Sequence, residues 1–436
     1  MKKIAVLAIA FLLFIPFASI NGNNVSLTNN TNGNALYVGG SGPNNYTSIQ
    51  SAINDADNGY TIYVYPSNYN ESIVINKSIS LIGIEINGEK PVISTSENKS
   101  TVIVEADGCI FRGFTMLSGR GLRIISNENI VENNRVMYSK GLGISLYGSS
   151  NNLIKNNEIT NGFSNGIHLR KSSDNIITRN IVSANSETGI VVFDHSDYNI
   201  ISYNNVTKNF HGMEIGEDAN DSTISFNHVY FNQQYGICVD TSTNVSILNN
   251  TIHNHAYGGL QLMDCSNCTV SGNEIYYNDR GIMVESNYMW EKQYNLIKRN
   301  NVYSNSGVGI YIEGSLRNDF TENNLMDNGD NAWFWEQTII GYPYSPLRPC
   351  YNVWDKNYWS DWSLPTPKPI KGVLTVWWSS LYIDFHWFMF DKHPAMEPYG
   401  NFTYKNMTDR DYVGEESYSS ASFHTPVKEN MRCQTV

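Results

Sequence analysis

Glu214, Glu217, Asp218 and Asp240 are the residues of this chain whose types and spacing could do chemistry. Carboxylates about 5–10 Å apart serve glycoside hydrolysis as acid and as base or nucleophile. In a lyase the same groups could instead hold a calcium ion against an acidic sugar. Glu214, Asp218 and Asp240 are therefore the candidate catalytic residues, calcium is the candidate cofactor, and a solvated acidic edge is the competing reading. A second set is aromatic. Tyr230, His253, Tyr276 and Tyr303 hold one position in successive repeats. Turned outward, they would form a ladder on which sugar rings stack; stacking for stability alone would use the same residues. Histidines and methionines are too dispersed to define a copper site. Cys265 and Cys268 form a lone CxxC, and Cys109, Cys238, Cys350 and Cys433 are scattered. Without a second pair at zinc spacing, a local disulfide or plain thiols is expected.

What places these residues is a repeat. Glycine followed by an aliphatic residue recurs at Gly121, Gly143, Gly166, Gly189, Gly212, Gly236, Gly259, Gly281 and Gly309. The steps are 22, 23, 23, 23, 24, 23, 22 and 28, the last lengthened by an insertion at Ser286–Tyr294. A second marker keeps the same beat: Asn134, Asn157, Asn180, Asn204, Asn227, Asn250, Asn273, Asn300 and Asn323. After each glycine apolar residues alternate, as in Ile167 and Leu169 or Ile237 and Val239, with His168 or Asp240 between and after them. Period-two alternation of β-branched residues makes a strand with one buried face. Two more short runs flank each marker Asn, as in Ile176-Ile177-Thr178 and Ile181-Val182-Ser183. The fold predicted is all-β: a right-handed parallel β-helix of about 23-residue coils. Equivalent residues then stack about 4.8 Å apart, and the marker asparagines form an inward hydrogen-bonded ladder. The glycines are expected to supply tight or left-handed backbone. Stacking brings Glu214, Glu217, Asp218 and Asp240 into two adjacent coils. It also puts His168, Val191, Glu214, Cys238, Gln261 and Met283 in one outward column, and Arg170, Phe193, Gly216, Asp240, Met263, Glu285 and Glu313 in the next.

The ends of a solenoid must be covered. Residues 36–115 read as an N-terminal cap and early coils, with a short amphipathic helix in TSIQSAINDADNG, and 116–330 as the regular coils. All nine tryptophans lie between Trp290 and Trp387, so 331–400 reads as a Trp-rich C-terminal cap, an irregular plug over the last coil. Lys2, Lys3 and the apolar run Ile4–Phe17 have the layout of a signal peptide over 1–22, followed by a linker at 23–35. Residues 401–436 read as a flexible polar tail. No membrane span is expected in the mature chain, and a secreted or cell-surface location follows. N-x-S/T triplets at Asn24, Asn45, Asn70, Asn76, Asn98, Asn205, Asn220, Asn244, Asn249, Asn267, Asn401 and Asn406 agree with it. A net charge of −12 with no basic run excludes nucleic acid as a partner.

The segment TSIQSAINDADNGYTIYVYPSNYNESIVINKSISLIG resembles the entrance region shared by pectin methylesterases and NosD-like proteins of the carbohydrate-binding and sugar-hydrolase class. The repeat GIxLxxSSxNxIxxN resembles the β-helix repeat of the NosD-like family, and NVWDKNYWSDW with FDKHPAMEPY looks like the end of its archaeal surface members. This covers roughly 36–400 and implies a cell-surface β-helix; the NosD name also implies copper delivery. The polygalacturonase motifs NTD, GHG and RIK are absent. Phe193-Asp194-His195 loosely matches a pectate lyase segment without its arginine motif. Tyr69-Asn70-Glu71 matches the pectin methylesterase entrance without the catalytic aspartates. The leading functional expectation is engagement of a glycan or cell-envelope polysaccharide, as a binding, adhesin-like or structural surface protein. Polysaccharide hydrolysis or lysis is the alternative, and copper handling the third.

Overall fold

The computed structural model describes residues 34–96, 98–287, 293–339, 352–378 and 381–400. The expected signal peptide and tail lie outside the described residues. Each coil lays down three short strands, each pairing in parallel with its equivalent one coil on. In the coil that begins at Gly166 these are Ile167–Arg170, Ile176–Thr178 and Ile181–Ser183. They belong to the first, second and third sheets. The first sheet runs from Ile73–Ile75 to Lys368–Trp378, the second from Ala35–Val38 to Val353–Asp355, and the third, of thirteen strands, from Asn68–Asn70 to Tyr358–Trp359. The result is the expected right-handed β-helix. Ile167, Leu169, Ile177 and Val182 are fully buried, so two side chains from the first strand and one from each of the other two fill the core slice of the coil.

The turns are held by side-chain amides. Asn180 Oδ1 accepts from the Asn157 backbone N–H at 2.9 Å and from its Nδ2 at 3.1 Å. Asn180 Nδ2 donates to Ile154 O at 2.9 Å and to Asn204 Oδ1 at 3.0 Å. The same pattern joins Asn134, Asn157, Asn180, Asn204, Asn227, Asn250, Asn273, Asn300, Asn323 and Asn357. It ends on the buried Asp391 carboxylate, which accepts from Asn357 and from Trp359 Nε1. Two further columns do this at the other turns. One runs through Asn129, Asn152, Asn175 and Asn199, the other through Asn185, Asn209, His255, Asn278 and Asn305.

The recurring glycines have a different reason from the one expected. Of the nine only Gly121 has positive φ, at +64°. At Gly236 a Cβ would lie 2.5 Å from both Gly259 O and Ile252 Cγ2. Close approach, not left-handed backbone, demands glycine there. The left-handed positions are instead the residues before the marker asparagines, such as Arg179 (55°) and Phe226 (56°).

At the N-terminal end the helix Ile49–Asp55 buries Ile49, Ala52 and Ile53. Glu71 accepts from the N–H groups of Ile49 and Gln50 and from Ser48 Oγ, so the Tyr69-Asn70-Glu71 motif here caps a helix. At the other end the sheets continue through the Trp-rich block. Asp330–Ile339, Val353–Asp355 and Tyr358–Trp359 add a coil, and Lys368–Trp378 turns back antiparallel on Leu381–Asp391. Indoles terminate the core from inside: Trp354 stacks on Phe320 at 4.3 Å, and Trp354 and Trp359 are 2% and 1% exposed. Among the described residues no helix is long and apolar enough to cross a membrane.

Candidate functional site

The predicted columns are in register, but the outer face of the first sheet is not bare. His168, Val191, Glu214, Cys238, Gln261, Met283, Tyr311 and Trp333 follow one another across neighbouring strands. Val191, Glu214, Cys238, Gln261 and Met283 are buried although they point away from the core. Aromatic rings pack around Met283 toward the C-terminal end of this column. Tyr235, Met283 and Tyr311 form a second apolar cluster with Tyr257, Val308 and Trp333 packed against it. Tyr311 stacks on Trp333 at 5.6 Å, Tyr257 meets Tyr235 edge-on at 5.0 Å, and Arg280 lies over Tyr311 at 4.5 Å and Tyr257 at 5.1 Å.

Carboxyls stand in and beside the same column. Burial pushes Glu214 up to about 7 against a hydrogen bond from Thr188 Oγ1 at 3.3 Å, and the charges of Asp240 and Glu217 add to the rise. Asp240 and Glu217 thus stand near enough for their charges to be felt at Glu214. Asp218 does not join them: it is exposed on the left-handed turn, with its Oδ2 3.9 Å from His195 Nδ1. Asp194, in the lyase-like segment, is instead paired with Arg170 at 2.8 Å and Lys171 at 3.7 Å.

A second carboxyl pair is better held. Glu285 and Glu313 are register partners on adjacent strands, followed by Trp335. Burial raises Glu285 to about 7, with the Glu313 charge adding to the rise; Gln261 Nε2 donates to Glu285 and opposes it. Tyr311 OH donates to Glu313 Oε2 at 2.6 Å. A pocket of about 170 Å³ opens beside them, lined by Ser286, Asn287, Glu313, Gly314, Leu316, Glu336 and Gln337. Glu336, pushed up to about 8 by burial, accepts from Asn352 Nδ2 at 3.1 Å. Glu285 and Glu313 stood together in the sequence column; the 28-residue step between their glycines hid how directly they pair. Nothing in the local pattern pointed to Glu336.

The aromatic column forms on the third sheet. Tyr230 stacks on His253 at 5.4 Å, His253 on Tyr276 at 4.7 Å and Tyr276 on Tyr303 at 4.9 Å, with interplanar angles of 17°, 9° and 11°. Each inner ring therefore has both faces covered by its neighbours, and the stack offers a partner edges and polar tips. His228 joins it, with its Nε2 2.8 Å from His253 Nε2. Burial lowers both histidines, His253 to about 4.

Cys265 and Cys268 are buried free thiols. Cys265 lies against Val239 O, and Cys268 N–H donates to Asn295 Oδ1, the bond an asparagine makes elsewhere in that column. Among the described residues no group of three or more His, Cys, Asp and Glu side chains is placed to hold a metal ion.

This architecture defines a right-handed parallel β-helix, and the sequence agrees: the family described as the right handed beta helix region matches residues 92–229 and 211–339, and the chain belongs to it. A cell surface glycoprotein of Methanothermus fervidus is 32% identical over 107 residues, which is 24% of this chain and 18% of that protein's length. Among solved structures, the mannuronan C-5 epimerase AlgE4 A-module of Azotobacter vinelandii superposes with a TM-score of 0.54 at 16% identity, over 63% of this chain and 88% of that one. The catalytic domain of a GH87 α-1,3-glucanase in complex with tetrasaccharides gives a TM-score of 0.56 at 14% identity, over 75% and 70%. At such identities the likeness is one of fold.

Proposed function

We propose that this chain is an extracytoplasmic protein that engages a glycan along the outer face of its first sheet. One observation carries the reading: Tyr257 and Trp333 stay partly exposed beside the buried Tyr235 and Tyr311, in a row along the coil axis next to the Glu285–Glu313 pair and its pocket. Apolar ring surface with a few convergent polar groups is what a sugar chain needs, since sugars present both C–H faces and hydroxyls. The carboxyls and the net charge of −12 favour a neutral glycan over a polyanion. Similarity to a cell surface glycoprotein, and to folds whose names include a glucanase and an epimerase, supports a surface location and a polysaccharide partner.

A second reading, hydrolysis, is favoured by the pair itself. Glu285 and Glu313 are register partners on strands one coil apart, so their side chains are neighbours on one face, as the paired carboxyls of a glycosidase must be. A carboxyl raised to about 7, as Glu285 is, can serve as the acid of such a pair. The test is a glycan array with the purified mature chain, every bound polysaccharide being assayed for new reducing ends and unsaturated products. Binding lost in Trp333→Ala but kept in Tyr276→Ala places the glycan on the first sheet; the reverse result moves it to the aromatic stack. Products abolished by Glu285→Gln support hydrolysis there, and products abolished only by Glu214→Gln or Asp240→Asn move the chemistry to that trio. No binding to any glycan refutes the proposal in favour of a structural envelope role.

A further inference from the structure

The third sheet carries a feature that glycan engagement does not use. His228 and His253 lie on adjacent coils, diagonal to one another, because His228 is in register with Thr251 and Tyr230 with His253. Their Nε2 atoms meet at 2.8 Å. Neither ring is free to turn: His228 stacks on Tyr230 at 4.3 Å, and His253 is clamped between Tyr230 and Tyr276. Two imidazole nitrogens are thus fixed toward one point at the outer surface.

The surroundings hold an excess of unanswered polar atoms. Among the described residues two buried side-chain oxygens of this patch, Asn205 Oδ1 and Thr207 Oγ1, have no hydrogen-bond partner. Asn205 and Thr207 are the register partners of His228 and Tyr230 on the preceding coil. Buried polar groups nearly always find partners, and a cluster of orphans marks a place where water or an ion belongs.

We propose that His228 and His253 bind a divalent transition-metal ion through their Nε2 atoms, the remaining positions being filled by water. Neutral imidazole suits zinc, nickel and copper, whereas calcium and magnesium take oxygen ligands. Binding moves the two nitrogens slightly apart, replacing one nitrogen–nitrogen hydrogen bond with two metal–nitrogen bonds of about 2.0–2.1 Å for zinc. No redox step is involved. The site stands on a different sheet from the proposed glycan face and does not depend on that reading.

The test is isothermal titration of the untagged mature chain with Zn²⁺, Ni²⁺ and Cu²⁺ in excess Ca²⁺ and Mg²⁺. His228→Asn and His253→Asn are compared with wild type, and His195→Asn, outside the patch, is the control. One equivalent is expected, with affinity in the order Cu²⁺ above Ni²⁺ and Zn²⁺. Each ligand variant should weaken binding by at least the roughly 10–100-fold that loss of a mere supporting group costs, and His195→Asn should bind as wild type does. A Cu²⁺ electron paramagnetic resonance spectrum should show coupling to two nitrogens, falling to one in His228→Asn, whose exposed position leaves the fold intact. No binding by wild type, or binding unchanged in both variants, overturns the proposal.

Discussion

Asn227→Ala is the substitution whose cost can be followed bond by bond. Asn227 Nδ2 donates to Ile201 O at 2.9 Å and to Asn250 Oδ1 at 3.0 Å, while its Oδ1 accepts from Asn204 N–H at 2.9 Å and Asn204 Nδ2 at 3.0 Å. Alanine removes all four. Asn250 Oδ1 still accepts from the Asn227 backbone, and Asn204 Nδ2 still donates to Ile177 O. The Asn204 backbone N–H is left without that partner in a buried turn, and Ile201 O loses its side-chain donor. At about 1–3 kcal/mol for each of these two groups, the expected loss is roughly 2–6 kcal/mol. A coil contacts only its neighbours, so the damage should be local. Urea denaturation read together with hydrogen exchange checks both points: amides of residues 200–230 should lose protection while those of residues 62–75 keep it. A loss below about 1 kcal/mol, or a uniform loss along the rod, would refute the ladder as the element that holds the turns.

Gly236→Ala should destabilise by more than about 2 kcal/mol, because its Cβ would collide with backbone Gly259 O; a melting curve within a degree of wild type would contradict this. Trp354→Ala empties the end of the core and should cost about 3–5 kcal/mol, with protection lost first in the last coil. Folding raises Glu285 to about 7 and Glu336 to about 8, so the folded state binds the extra protons and stability should fall as pH rises from about 4.5 through 8. The double variant Glu285→Gln/Glu336→Gln should flatten that slope, as measured by the urea midpoint at pH 5 and pH 8. An unchanged slope would show that these carboxyls are not the source.

The period, the three strands per coil and the marker asparagines were legible because each coil repeats the same contacts every 23 or so residues. The other two amide columns were harder to see. Ser222, Val245 and Cys268 interrupt one and His255 the other, and the bonds pass through backbone at those breaks. Register was also legible, since Glu214, Cys238 and Gln261 do follow one another. Burial was not: alternation tells which way a side chain points, but not that Tyr235, Tyr257 and Tyr311 will pack around Met283. The stack of Tyr230, His253, Tyr276 and Tyr303 makes the same point. One position per coil predicted adjacency; only ring orientation reveals that the faces are spent on one another.

All three sheets run their hydrogen bonds along the coil axis, with the strands across it, and residues 34 and 400 belong to opposite ends of the stack. Tension applied between those ends loads the ladders lengthwise, so coils must peel from a terminus one after another. Each released coil of about 23 residues yields at most about 76–83 Å of chain in exchange for about 4.8 Å of rod. Held at both ends at a cell surface, the molecule would be stiff at low load and would lengthen in discrete steps above it.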